Sequence, residues 1–312
     1  MMTKKITKFW LIFFMFPLTC FSQQKEKWTT YPKQQWPPIA LTNNVLFKNG
    51  DRYIDPSFTY AGTGFLIDNG TDTLAATAKH VLWIAKNKKA TTVQINHDMQ
   101  QWIMKPKGST KDSVLIDKLI NEDSAEILEG QASTIIDRDW LVFSVKNVVG
   151  NIVPLKPRYS PLVTGEKVYI PGCAYNDSTC MVYEGKVLRK EGMDILIECN
   201  MKEHMGGSSG SPVIDANGFL IGILSSGAMD NKTGKNVTIA VSTEYLYNVL
   251  HNKTALNTPK KDYGELILKP PWKKAQSRLS VNTLLYQRIL EITISTICVV
   301  PIKTGFVKQE KN

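Results

Sequence analysis

Cysteine pairs at metal-binding spacing are missing from this chain. Of its five cysteines, the four beyond the first 22 residues are Cys173, Cys180, Cys199 and Cys298, and they form no CxxC pair, which excludes the usual zinc ribbons and fingers. No metal and no cofactor is expected. Long apolar runs are missing too: FWLIFFMFPL (Phe9 to Leu18) and EITISTICVVPI (Glu291 to Ile302) both fall short of the ~20 residues that span a bilayer as a helix. Histidine is scarce, with four in 312 residues, so any imidazole chemistry has few candidates. There is no internal repeat and no low-complexity tract. With 43% apolar residues the chain can build a sizeable core, so disorder is not the default.

The central region also lacks an excess of charge. The net charge is +10, but Lys4, Lys5 and Lys8 contribute three, and residues 260–312 carry ten Lys/Arg against four Asp/Glu. A nearly neutral body argues against a phosphate-binding surface, so no nucleic-acid partner is expected. The basic tail at 256–312, marked off by Pro259 and KPPWKK, suits contact with a membrane surface or an acidic partner.

Residues 1–22 combine those three lysines, the apolar run and small residues at Cys20 and Ser22, the pattern of an export signal. Cleavage near Ser22 would start the mature chain at Gln23 and place it in the periplasm or medium. Residues 23–40 are then a lead-in. In such a compartment a Cys173–Cys180 bridge and two buried free thiols are both open.

From about Leu41 to Val249 the texture is short β-rich runs between turn signals: TGFLID, TLAATA, WLVFSV, KVYIPG, DILIEC and NVTIAVS. Asn49-Gly50, Asn69-Gly70 and Asn217-Gly218 are hairpin signals. Some 210 residues of this kind fit an all-β, two-barrel domain (41–255) better than one small barrel. Ser242 can cap a closing helix whose Leu246, Val249 and Leu250 share a face.

Between two strand-like runs lies GGSSGSPV (Gly206 to Val213). A serine hydroxyl becomes a nucleophile when a base, most often histidine held by a carboxylate, takes its proton. His97, His204 and His251 sit in polar or terminal contexts, whereas His80 ends the apolar run TLAATAKH. Asp139 stands at the entrance of the apolar strand that begins Trp140-Leu141-Val142, with Asp137 as a rival. Each residue alone has an ordinary explanation: a core or surface histidine, a turn aspartate, a flexible Gly-Ser loop.

Together, His80, Asp139 and Ser209, in that order and in an all-β frame, resemble the trypsin-like (chymotrypsin-fold) serine peptidases. The family's GNSGGP or GNSGSP nucleophile loop appears here as GSSGSP (Gly207 to Pro212), its TAAH as Thr77-Ala78-Lys79-His80, and its aspartate-led strand as Asp139-Trp-Leu-Val-Phe. The flanking GTGFLID and GEKVYIPG agree, and the likeness covers roughly residues 41–250, nearest the bacterial HtrA-like and glutamyl-endopeptidase-like branch. The resemblance implies two six-stranded antiparallel barrels with the active site between them. Ser209 would be the nucleophile, His80 the general base, Asp139 its orienting carboxylate, and the Gly207 and Ser209 N–H groups the oxyanion hole, acting on a polypeptide substrate.

Substrate would lie along Leu224, Ser225, Ser226 and Gly227. Leu224 stands where glutamate-specific relatives keep a histidine, which disfavours that preference. Glu203 falls near the base of the primary pocket, where an acid would select Lys or Arg; an exposed glutamate is the plain alternative. The competing reading for the whole chain is a catalytically idle barrel that binds peptides or envelope partners.

Overall fold

Alternation of side chains along two neighbouring strands organises the molecule. In β2 (Thr63–Asp68) and β3 (Thr73–Thr77) nearly every residue is buried, because successive side chains point to opposite faces and both faces are covered. Leu66 and Ala75 enter one apolar cluster, while Phe65, Ile67, Leu74 and Ala76 enter another. The run reads as continuously apolar for that reason.

The computed structural model describes residues 25–50, 60–85, 91–128, 138–199, 201, 206–230 and 232–251. Residues 1–22, read above as an export signal, the basic tail, Glu203, His204 and Asp137 lie outside the described residues. The other elements are β1 (Leu41–Phe47), α1 (Val81–Ala85), β4 (Thr92–Val93), β5 (Met99–Lys105), β6 (Ser113–Leu119), β7 (Asp123–Ile127), β8 (Leu141–Val149), β9 (Lys167–Gly172), β10 (Met181–Glu191), β11 (Asp194–Cys199), β12 (Pro212–Asp215), β13 (Leu220–Asp230), β14 (Lys235–Ser242) and α2 (Thr243–Leu250).

Twelve of these strands close into two six-stranded barrels. The first has the order β1-β2-β3-β8-β6-β5, the second β10-β11-β14-β13-β12-β9, and β4 pairs with β7 apart from both. All strand pairings are antiparallel. This is the two-barrel, all-β architecture expected from the sequence. Trp102, Met104, Leu141 and Phe143 help fill the first barrel, and Val168, Ile170, Ile195, Ile197 and Val213 fill the second. Between them Phe65, Ile67, Trp140, Ile214, Leu220 and Ile223 form a third cluster that also receives Tyr245 and Leu246 of α2.

The local signals worked to different degrees. Asn69-Gly70 joins β2 to β3 and Asn217-Gly218 joins β12 to β13, both as turns between paired strands. Asn49-Gly50 forms a turn after β1; β5 pairs along β1 from Thr42 to Phe47 and β2 at Leu41 and Thr42, and residues 51–59, where a hairpin partner would follow, lie outside the described residues. The closing helix forms as expected: Ser242 accepts from Glu244 N at its start. Cys173 and Cys180 are joined in a disulfide, which settles that open pair. The lead-in packs on the second barrel. Trp28 and Trp36 meet edge to face at 5.0 Å, and Trp36 meets Tyr169 at 5.2 Å.

Candidate active site

Strand register brings His80 and Asp139 together. Thr77 at the end of β3 pairs with Leu141 at the start of β8, so the three residues beyond Thr77 and the two before Leu141 leave the sheet at the same place. There Asp139, 1% exposed, accepts twice from His80: its Oδ1 from the backbone N–H at 3.0 Å, and its Oδ2 at 2.7 Å from ring Nδ1. With Nδ1 bound as donor, Nε2 is the ring's free acceptor. Burial pulls the His80 pKa down, but the charge and hydrogen bond of Asp139 outweigh it and the net shift is upward.

The same carboxylate oxygen accepts from Ser225 Oγ. The β13–β14 register shifts between Leu224 and Ser226, and this bulge turns Ser225 toward the first barrel, as bulges near sites often re-aim a side chain. Ser225 was expected along the substrate path; it contacts Asp139 directly. Leu224 is buried, Ser226 half-buried and Gly227 exposed on the same strand. Glu203 lies outside the described residues.

The serine loop from the second barrel is pressed against the histidine segment of the first. Ser209 O accepts from Thr63 N at 2.8 Å. A Cβ added at Gly210, whose φ is +83°, would lie 2.2 Å from Thr63 O and 2.4 Å from Thr77 Oγ1, so glycine is required for this approach as well as for the backbone conformation. Thr63 Oγ1 donates to Gly207 O at 2.8 Å and accepts from Cys173 N at 3.0 Å.

The three serines of GSSGS are not equivalent. Ser208 and Ser211 are 1% and 0% exposed, while Ser209 is half-buried. Ser211 Oγ is occupied, donating to Ser208 O at 2.6 Å. Ser208 Oγ faces Gly172 without a partner among the described residues. Ser209 is therefore the least buried of the three. Among the described residues no hydrogen bond joins it to the His80 ring; such bonds often tighten only when substrate is bound. Nor do the Gly207 and Ser209 N–H groups donate to any acceptor among the described residues.

Directly behind His80 and Asp139 sits a buried polar network that the sequence did not reveal. Lys79, 0% exposed, bonds Glu126 Oε1 and Oε2 at 2.6 and 2.5 Å and the Tyr245 hydroxyl of α2 at 2.9 Å. Arg138 Nε lies 3.7 Å from Glu126, and Asn121 Nδ2 bonds both Tyr245 and Trp140 O. Burial pushes the Glu126 carboxyl up, against the pull of Lys79 beside it.

The model of the trypsin-like peptidase domain matches residues 62–223, a span that runs from the Thr63 strand through the serine loop. The chain belongs to this family. The trypsin-like peptidase domain thus covers both the His80–Asp139 pair and GSSGSP. Among solved structures, the chain is similar to an inactive-form serine-to-alanine mutant of Rv3671c from M. tuberculosis, at 14% identity and a TM-score of 0.43, over 71% of this chain and 89% of that one. No curated protein matches it.

Proposed function

We propose that this trypsin-like peptidase is an exported serine endopeptidase that cleaves polypeptides through an acyl-enzyme on Ser209. The observation that carries the reading is the 2.7 Å contact of His80 Nδ1 with Asp139 Oδ2, made where the half-buried Ser209 loop meets the histidine segment. His80 Nε2 takes the proton from Ser209 Oγ as the oxygen adds to the scissile carbonyl. Asp139 holds the ring tautomer and stabilises the imidazolium. The N–H groups of Gly207 and Ser209 receive the oxyanion. Collapse of the tetrahedral species passes the His80 proton to the leaving amine, and a water activated by the same imidazole then hydrolyses the ester.

The Cys173–Cys180 disulfide supports an oxidising compartment for the mature chain, in keeping with the signal-like residues 1–22. A fluorophosphonate probe tests the chemistry. The wild-type chain is expected to be labelled and Ser209→Ala is not; a folded wild type that resists the probe favours the idle, peptide-binding barrel.

A further inference from the structure

Two side chains of the first barrel hold a loop of the second one that backs the serine turn. Lys107, two residues after β5, bonds Ala174 O at 2.6 Å and the Tyr60 hydroxyl at 2.9 Å, and also reaches Asp177 O. Tyr175 O lies farther off at 3.5 Å, so the three shorter contacts match the three donors of an ammonium. The Tyr60 hydroxyl in turn donates to Cys173 O at 2.7 Å, and the Tyr60 ring packs on that of Tyr175 with centroids 4.9 Å apart. Three carbonyls of the 173–177 segment are thereby fixed from across the barrel junction.

This segment holds the oxyanion turn through the hydrogen bond from Tyr175 N to Gly206 O at 2.8 Å. In a planar trans peptide the C=O and N–H vectors point in opposite directions. Anchoring the Gly206 carbonyl on Tyr175 therefore aims the Gly207 N–H away from Tyr175, on the side where it has no acceptor among the described residues. Gly207, at φ +96°, has no slack here: an added Cβ would lie 2.8 Å from Cys173 O and 2.9 Å from Tyr175 N. Were the peptide to flip, the Gly206 oxygen would occupy the place of an oxyanion donor.

We propose that Lys107 and Tyr60 are positioning residues that, through Cys173–Asp177 and Tyr175 N, lock the Gly206–Gly207 peptide with its N–H facing the reacting carbonyl. The proposal rests on Ser209 being the nucleophile. It assigns to barrel-one side chains a part in oxyanion stabilisation that they perform without touching substrate.

The test uses the full chain, with casein hydrolysis and fluorophosphonate labelling as readouts. Lys107→Met keeps an unbranched side chain of similar length and removes the donors. It is expected to lower kcat and the labelling rate at least ~10-fold, a part of the ~10²–10³ lost with a whole oxyanion donor, while KM stays within about twofold. Tyr60→Phe, which loses one link only, is expected to show a smaller loss of the same kind. Wild-type kcat in a folded Lys107→Met chain overturns the proposal. So does a loss that appears in kcat and KM alike and tracks a lowered Tm, since that pattern assigns Lys107 to barrel docking alone. Labelled wild type with unaffected variants leaves the nucleophile reading intact; an unlabelled wild type removes both.

Discussion

Ser225 of the second barrel donates its hydroxyl to Asp139 Oδ2 of the first, the oxygen that also holds the His80 ring. A hydrogen bond to a charged group contributes about 1.5–3 kcal/mol. Ser225→Ala is therefore expected to cost stability of that order in urea unfolding, and to lower kcat/KM by roughly tenfold by loosening the carboxylate that orients His80. Steady-state hydrolysis of casein measures it, and an unchanged rate would show that Asp139 needs only its contact with His80.

The acid side of the pH profile reports His80. Because its pKa is raised above the ordinary 6.5 by Asp139 despite burial, kcat/KM is expected to fall with decreasing pH at a midpoint above 6.5. Asp139→Asn removes the raising influence and leaves the burial, so the same ring should then titrate below 6.5, as followed by NMR. The linkage runs accordingly: His80 contributes stability that is fully present below its unfolded pKa and lost as pH rises through the folded one. A midpoint unmoved by Asp139→Asn would separate the two residues functionally.

The Lys79–Glu126 pair is too buried to tolerate losing one member. Glu126→Gln should destabilise the fold by about 3–5 kcal/mol in urea unfolding, the cost of an uncompensated buried charge. Lys79→Met combined with Glu126→Leu should recover most of that loss, since apolar replacement of a whole buried pair is often neutral. If the double variant is as unstable as the single one, the ion pair itself is the stabilising element.

Two glycines with nearly the same backbone angle should differ sharply on substitution. Gly70 (φ +90°) has nothing within 4 Å of an added Cβ, whereas Gly210 (φ +83°) would place it 2.2 Å from Thr63 O. Gly70→Ala should cost about 1–2 kcal/mol from the left-handed conformation alone and leave activity intact. Gly210→Ala should abolish labelling of Ser209, because the loop must retreat from the histidine segment. Equal activity in the two variants would contradict the close approach described for this loop.

Much of this arrangement was legible before any coordinates. The strand texture carried the two-barrel fold, and TAKH and the aspartate-led strand pointed to two residues that do meet, His80 and Asp139, with GSSGSP offering Ser209 as the third candidate. Asn49-Gly50 gave its turn, because a turn signal specifies local dihedrals, while the residues that would return from it lie outside the described ones. The Ser225–Asp139 contact was silent, since a bulge leaves no mark in an alternating pattern. Lys79 and Glu126 were silent for a related reason. A charged residue 47 positions from its partner reads as surface until the fold brings the two together and excludes water. The link from Lys107 to the Gly206–Gly207 turn crosses the barrels and is likewise invisible along one chain segment.

Thr63 makes hydrogen bonds to Ser209, Gly207 and Cys173 across the junction, using its amide, its hydroxyl proton and its hydroxyl lone pair. A single residue so engaged works as a dowel between the halves. Its amide proton can reach solvent only when the serine loop lifts away, so its hydrogen-exchange rate would serve as a built-in gauge of how often the cleft comes apart.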